Sequence, residues 1–284
     1  MTVQFSAPEY WPRVSVVIPT LNEARNLPYV FERLPPNMYE VIVVDGHSVD
    51  DTVAVARQLR PDIRIVNQTR KGKGNALACG FAVATGDVIA TVDADGSADP
   101  GEIPLFVEAL LNGADFAKGT RYAAGAGSND ITRLRSLGNR LLGGLVNLCY
   151  GTRYSDLCYG YNAFWRRHAP VFRLDATSQQ PSGGDEWLYG DGFEIETLIN
   201  IRAAAAGLVI AEVPSFEHPR MYGASNLNAI SDGWRVLKAI IRERLTTAPD
   251  SRARPGAVPA VPDAIHSLPI WSSAVKAVGK GESA

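Results

Sequence analysis

Only three cysteines, Cys79, Cys149 and Cys158, occur in 284 residues. Their odd number excludes a closed disulfide framework, and their spacing is not that of a metal module. They read as reduced thiols of an intracellular protein, so the expected location is the cytoplasm. Neither sign of charge dominates. With 28 Lys and Arg against 30 Asp and Glu the net charge is −2, so no positive field points to nucleic acid as a partner. No run of about 18 apolar residues is present, so no segment is expected to span a bilayer. The opening residues 1–13, "MTVQFSAPEYWPR", lack the basic-then-apolar build of a leader and read as an N-terminal arm. There is no internal repeat. What is present is 46% hydrophobic and 20% charged, an ordinary composition for one large globular domain.

Short apolar runs alternate with helical patterns. "VSVVIP", "EVIVVD", "IRIVNQ", "DVIATVD" and "DFAKGT" read as strands. Between them, "NEARNLPYVFERL", "VDDTVAVARQL", "GNALACGFAVATG" and "GEIPLFVEALLNG" carry helical spacing. Near-continuous apolar runs are those of strands buried on both faces, and the alternation predicts an α/β fold with a mainly parallel sheet. From residue 246 to 284 the composition turns to Pro, Ala, Ser and Arg, which reads as a flexible tail.

In such sheets ligands bind beyond the carboxyl ends of the strands. Asp45, Asp93 and Asp95 fall at these ends. Asp93 and Asp95 are one residue apart, and in an extended segment such residues point the same way. Two carboxylates so close repel unless a cation bridges them or one takes a proton, and a hard divalent ion that also touches phosphate oxygens would serve. The alternative for Asp95 or Asp99 is a cap on the next helix.

The motifs "VSVVIPTLNEARNL", "VIVVDGHSVDDT", "RKGKGNALACGFAVATGDVIATVDADGSADP" and "GTRY" follow in this order. Together they resemble family 2 glycosyltransferases of the GT-A fold. "SDLCYGYNAFWRR" and "EVPSFEHPRMYGASNL" resemble the S-D-L-x-x-G-F-R-x-F-R and E-V-P-x-x-F-x-x-R-x-Y-G-x-S-K-L stretches of the polyprenyl-phosphate sugar synthases within that family, dolichyl-phosphate mannose synthase among them. The resemblance covers residues 14–245. It implies a GT-A-like sheet with helices on both faces, a nucleotide-sugar-binding half over 14–120 and an acceptor-side extension over 121–245.

The resemblance also implies roles. Pro19, Leu21, Glu23, Asp45, Lys73, Asp93, Ala94 and Asp95 would bind a GDP- or UDP-linked sugar. Asp93 and Asp95 would hold Mg2+ or Mn2+ against the diphosphate, where the ion neutralises charge on the leaving group. Arg121 and Arg220 would clamp phosphate, a task suited to guanidinium geometry. Arg121, Arg135, Arg220 and Asn226 would face the acceptor, Asn226 standing where the pattern has lysine. Gly46 and His47 replace the middle of the usual V-D-D-G-S, so the base does not carry over. Ser97 stands where a glutamine is common, and a water would substitute as metal ligand.

The implied reaction is inverting transfer of a sugar to a polyprenyl phosphate at the cytoplasmic membrane face. A phosphate nucleophile is already ionised, so positioning and leaving-group stabilisation suffice. A hydroxyl of a polysaccharide, lipid or secondary metabolite would instead need a base, for which Asp156 is the candidate; its other reading is a turn aspartate bonded to backbone. A third reading is a nucleotide-sugar-binding module without turnover, which the intact acid pair and both arginines oppose. Arg133 and Arg135 either meet the acceptor or form a solvated basic face. Glu194 and Glu196 lie on one helix, and either could face the acceptor. His218 reads as structural. "TSQQPSGGDEWLYGD" reads as a loop. In "NAISDGWRVLKAIIRERL", Ile230, Trp234, Leu237, Ile241 and Leu245 fall at helical spacing among Arg235, Lys238, Arg242 and Arg244. Such a helix either packs on its own domain or makes peripheral contact with a bilayer.

Overall fold

The computed structural model describes residues 11–177, 188–223 and 229–246. Four strands, β1 (Val14–Thr20), β2 (Glu40–Asp45), β3 (Arg64–Asn67) and β4 (Val88–Thr91), run parallel and are each followed by a helix. These helices are α1 (Leu27–Arg33), α2 (Thr52–Leu59), α3 (Lys73–Val83) and α4 (Ile103–Leu111). The chain continues through β5 (Phe116–Thr120), β6 (Gly127–Ser128), α5 (Arg133–Tyr150), β7 (Asn162–Trp165), α6 (Ile195–Ala205), β8 (Ile210–Pro214), β9 (Phe216–Glu217) and α7 (Ala229–Thr246). The main sheet has seven strands in the order β3-β2-β1-β4-β7-β5-β8, and β6 pairs with β9 in a small second sheet. Only β7 runs antiparallel, between β4 and β5.

Strand alternation explains the two faces. Val14, Val16, Ile18, Val41 and Val43 pack with α1, α2 and α4, through Leu27, Val30, Ala56 and Phe106. Val17, Ile42 and Val44 point the other way, to Leu77 and Phe81 of α3 and Leu198 of α6. Both sides of β1 and β2 are therefore apolar, as expected of central parallel strands. Gly80 lets α3 approach closely, because a Cβ there would stand 2.4 Å from Cγ1 of Val17. A third cluster, Val146, Tyr154, Leu157, Ile201, Val236 and Ile240, joins α5, α6 and α7.

Three expectations need correction. The fourth strand was expected to reach Asp93, but its ladder ends at Thr91 and residues 92–97 turn, with Gly96 at a φ of +76°. Asp93 and Asp95 therefore stand on a turn and not on alternate rungs of one strand. The sequence reading missed β7 and β8, which lie past the regular strand-helix alternation and are four and five residues long. The expected arm is tied down at its inner end, where the Arg13 backbone N–H and guanidinium both donate to Asp87. Residues 1–10 and 247–284, with most of the expected arm and tail, lie outside the described residues, as do 178–187 of the expected loop and Asn226.

Candidate active site

Strand order reverses between β1 and β4, the place where open α/β sheets form a crevice. A cleft of about 1080 Å³ lies there. The ends of β1 and β2 supply Pro19, Leu21, Glu23, Gly46 and His47, and the start of α3 supplies Lys71 and Lys73. Asp93, Ala94, Asp95 and Ser97 form its floor, and Arg121, Arg135, Glu196, Glu217 and Arg220 lie toward the other end. Elements from both halves of the chain thus converge on residues that the sequence singled out separately.

The carboxylates of the turn are already countered by cations. Lys73 Nζ sits 2.6 Å from Asp93 Oδ1 and 2.7 Å from Glu196 Oε1. Burial depresses the lysine pKa, but Asp93 and Glu196 outweigh it, and the net direction is upward. Asp95 Oδ1 accepts from the Ser97 hydroxyl at 2.7 Å, and Oδ2 lies 3.4 Å from Nη1 of Arg220. Nη2 of Arg220 donates to Glu23, and its Nε donates to the Tyr222 carbonyl at 2.7 Å. Burial raises the Glu23 pKa against the opposing pull of Asn26 and Arg220. Ser97 therefore meets Asp95 directly.

Two expected site residues do not reach the cleft wall. Asp45 is buried, and both its oxygens accept from the Ser48 backbone N–H, at 3.1 and 3.3 Å. That bond holds the carboxylate under its own turn. Asp156 is 0% exposed and faces Arg121, Nε to Oδ2 at 2.7 Å and Nη2 to Oδ1 at 2.9 Å. Burial alone would raise its pKa, but the Arg121 bonds hold the carboxyl below its ordinary range. A carboxylate sealed away from the cleft does not reach the proton of an outside hydroxyl. Arg121 does line the cleft, yet its Nη1 donates to both Glu217 oxygens at 3.0 Å. Its guanidinium is shared between two carboxylates, so little of its donor capacity remains for a phosphate.

Other expectations resolve individually. Arg135 lines the cleft and pairs with Asp130 at 3.2 Å, while Arg133 is exposed and does not line the cleft. Glu196 faces the cleft, whereas Glu194 turns back to the Gly190 and Gly192 N–H groups. His218 is exposed, and its backbone N–H donates to Ser97 at 2.8 Å. Asp191, from the expected loop, forms a bidentate pair with buried Arg70 at 2.8 and 2.9 Å.

Sequence reasoning missed Gln68, Glu217 and the buried Lys118. Glu217 stands where the E-V-P-x-x-F-x-x-R pattern has phenylalanine, a departure visible once the two are set in register. Lys118 gave no signal, lying in a strand. Its Nζ donates to the carbonyls of Tyr159 at 2.5 Å and Gly119 at 3.0 Å, and burial lowers its pKa.

The far end of the cleft opens between α5 and α7. Leu134, Leu137 and Leu141 of α5 line it together with Asp232, Gly233 and Val236 of α7. Leu134 is 62% exposed, Leu141 67% and Trp234 59%. Among the described residues no helix is long and apolar enough to cross a membrane.

An open, mostly parallel sheet with an acid-lined crevice at its switch point, extended by the packed helices α5, α6 and α7, is the architecture of a GT-A glycosyltransferase. Glycosyl transferase family 2 matches over residues 15–170, more than half of the chain. The chain belongs to this glycosyltransferase family. An uncharacterised glycosyltransferase of Mycobacterium tuberculosis is 31% identical over 238 residues, which span 79% of this chain and 97% of the relative. The polyprenol monophosphomannose synthase of Mycolicibacterium smegmatis is 30% identical over 250 residues, 83% of this chain and 90% of the relative. Among solved structures, glucosyl-3-phosphoglycerate synthase of M. tuberculosis in complex with Mg2+ and uridine diphosphate superposes with a TM-score of 0.62 at 25% identity, covering 84% of this chain and 81% of that one.

Proposed function

We propose that this chain transfers a sugar from a nucleotide-diphosphate sugar to a polyprenyl phosphate, with inversion, while in peripheral contact with the cytoplasmic membrane face. One observation carries the acceptor. The far mouth of the cleft is lined by exposed Leu134, Leu137 and Leu141 of α5 and by Val236 of α7, and α7 also exposes Trp234, with Lys238 over its ring. Exposed apolar side chains in a contiguous group mark an interaction surface, and basic flanks suit anionic headgroups. The name of the mycobacterial synthase relative agrees with a polyprenyl acceptor.

At the donor end, Asp93 and Asp95 supply hard oxygen ligands suited to Mg2+ or Mn2+. Among the described residues no group of three metal-ligating side chains occurs, so diphosphate oxygens and water would complete the shell. The solved relative with Mg2+ and uridine diphosphate supports this assignment. A bound divalent ion neutralises charge on the departing diphosphate. Arg220, which pairs with Asp95 and Glu23 on the cleft wall, would add a second positive charge near the same phosphates. Lys73 holds Asp93 and Glu196 in place across the cleft. Arg135, which lines the cleft on α5 beside its leucines, would meet the acceptor phosphate. Asp156 and Arg121 position Glu217 and do not touch substrate through Asp156. In the reaction an acceptor phosphate oxygen bonds to the anomeric carbon as the bond from that carbon to the nucleoside diphosphate breaks.

Glu217 favours a second reading. It is a carboxylate on the cleft wall, oriented by Arg121 and by the Ser128 hydroxyl, and could take the proton of a hydroxyl acceptor. The deciding experiment offers UDP- and GDP-linked sugars with Mg2+ or Mn2+ to polyprenyl phosphate, to polyprenol and to a soluble phosphorylated hydroxy acid. Product with polyprenyl phosphate alone supports the first reading. Product only with a hydroxyl acceptor replaces it by the second.

A further inference from the structure

We infer that Gln68, and not Asp45, reads the nucleobase, selecting one whose edge presents a keto oxygen beside a ring N–H. Uracil and guanine share that edge. The inference deepens the nucleotide-sugar reading above and rests on it.

Position is the first argument. Gln68 follows β3 directly, and its backbone N–H donates to the Asp45 carbonyl at 3.0 Å. It therefore stands beside the ends of β1 and β2, at the end of the cleft away from the α5–α7 mouth. Burial without a partner is the second argument. The residue is only 7% exposed and lines the cleft, yet among the described residues its side chain makes no hydrogen bond. Neither amide atom is among the fully buried polar atoms that lack a partner, so the amide is open to the cleft and available to a base in this slot. Asp45 is not placed for the role, because it is buried beneath its own turn and does not line the cleft.

Shape is the third argument. A Cβ on Gly46 would come within 3.1 Å of the Thr20 carbonyl, 3.4 Å of Leu21 Cβ and 3.5 Å of Gln68 Nε2. Glycine thus keeps a narrow slot open between the strand ends. Pro19 and half-exposed Leu21 give it an apolar wall, suited to the face of a planar ring. The amino end of the Gln68 amide is the end beside that slot. It would donate to a keto oxygen, while the amide oxygen accepts from the adjacent ring N–H.

Titration calorimetry with Mg2+ tests the assignment on the parent, Gln68→Ala and Gln68→Glu. The probes are UDP, GDP, CDP, ADP and inorganic pyrophosphate. The parent should bind UDP or GDP in preference to CDP and ADP, and the better of the two identifies the base. Gln68→Ala should weaken that nucleotide by about threefold to tenfold and leave pyrophosphate unchanged. Gln68→Glu, which cannot donate at pH 7, should weaken it further and narrow the gap to CDP. Unfolding midpoints of both variants should match the parent. Unchanged affinity in Gln68→Ala, an equal loss with pyrophosphate, or a parent preferring CDP or ADP would overturn the inference. A parent that binds no nucleoside diphosphate would instead sink the nucleotide-sugar reading itself, before any variant is compared.

Discussion

Replacing Arg121 by methionine should destabilise the fold as much as it impairs turnover. The side chain is 4% exposed and its partners Asp156 and Glu217 are 0% and 8% exposed. Four side-chain contacts between 2.7 and 3.0 Å are lost. Asp156 keeps the residue-121 backbone N–H at 3.1 Å, and Glu217 keeps Ser128. Removing one partner of a buried pair costs about 3–5 kcal/mol. Two carboxylates are stranded here, so the upper half of that range is expected. For a folded unit of this size each kcal/mol shifts Tm by about 2–4 °C, giving a fall of about 8–20 °C. The assay is thermal unfolding followed by circular dichroism. The triple variant Arg121→Met, Asp156→Asn, Glu217→Gln should regain much of the loss, because no buried charge is left unpaired. Acid provides an independent check. The Asp156 carboxyl is held below its ordinary range in the fold, so its contribution is complete above about pH 4 and is lost as pH falls through the lower folded value. The gap between parent and Arg121→Met should therefore close in acid. An Arg121→Met protein with the parent's midpoint that fails only in transfer would refute this reasoning and restore the phosphate clamp expected from the motif.

Asp95→Asn should keep the parent's unfolding midpoint but lose the Mg2+-dependent rise in Tm that a nucleoside diphosphate produces, since an amide is a poor ligand for a hard cation; an equal rise in both proteins would contradict the metal assignment. Burial pushes the Glu102 carboxyl up to about 7, so the fold favours its protonated form and that stability is lost as pH rises from the ordinary carboxylate range through about 7. Glu102→Gln should flatten this slope in unfolding curves taken from pH 5 to pH 8, and an unchanged slope would rule the group out. Leu141→Glu, at an exposed position, should leave Tm within a degree or two while reducing co-sedimentation with anionic lipid vesicles several-fold; equal sedimentation of parent and variant would remove α5 from the membrane contact.

Much of the fold was legible because periodicity and burial are local consequences of residue type. β1 to β5 and the helices between them follow from apolar runs broken by turn residues, and β2 matches its expected bounds, Glu40–Asp45. The antiparallel β7 and the edge strand β8 were not legible. Four- and five-residue strands lack a periodic signal of their own, and their place depends on which edges remain unpaired once the parallel core has formed. Likewise the leucine positions of α5 say that it is amphipathic, but not that Leu134, Leu137 and Leu141 are left uncovered at a cleft mouth.

For the site, residue order alone set acids past the strand ends, and the resemblance to the family grouped Lys73, Asp93, Asp95 and Arg220 as an expectation. A carboxylate's role, however, depends on which counter-charge it meets, and that is a matter of long-range contact. Asp156 and Arg121 are 35 residues apart, Lys73 and Glu196 are separated by more than a hundred, and Arg220 and Asp95 by 125. Only the tertiary structure could close these pairs. It withdrew Asp45 and Asp156 from the cleft, because a buried carboxylate takes whatever N–H or cation lies within reach. It brought Gln68, Glu196 and Glu217 onto the cleft wall because β3 and β9 end there and α6 begins there.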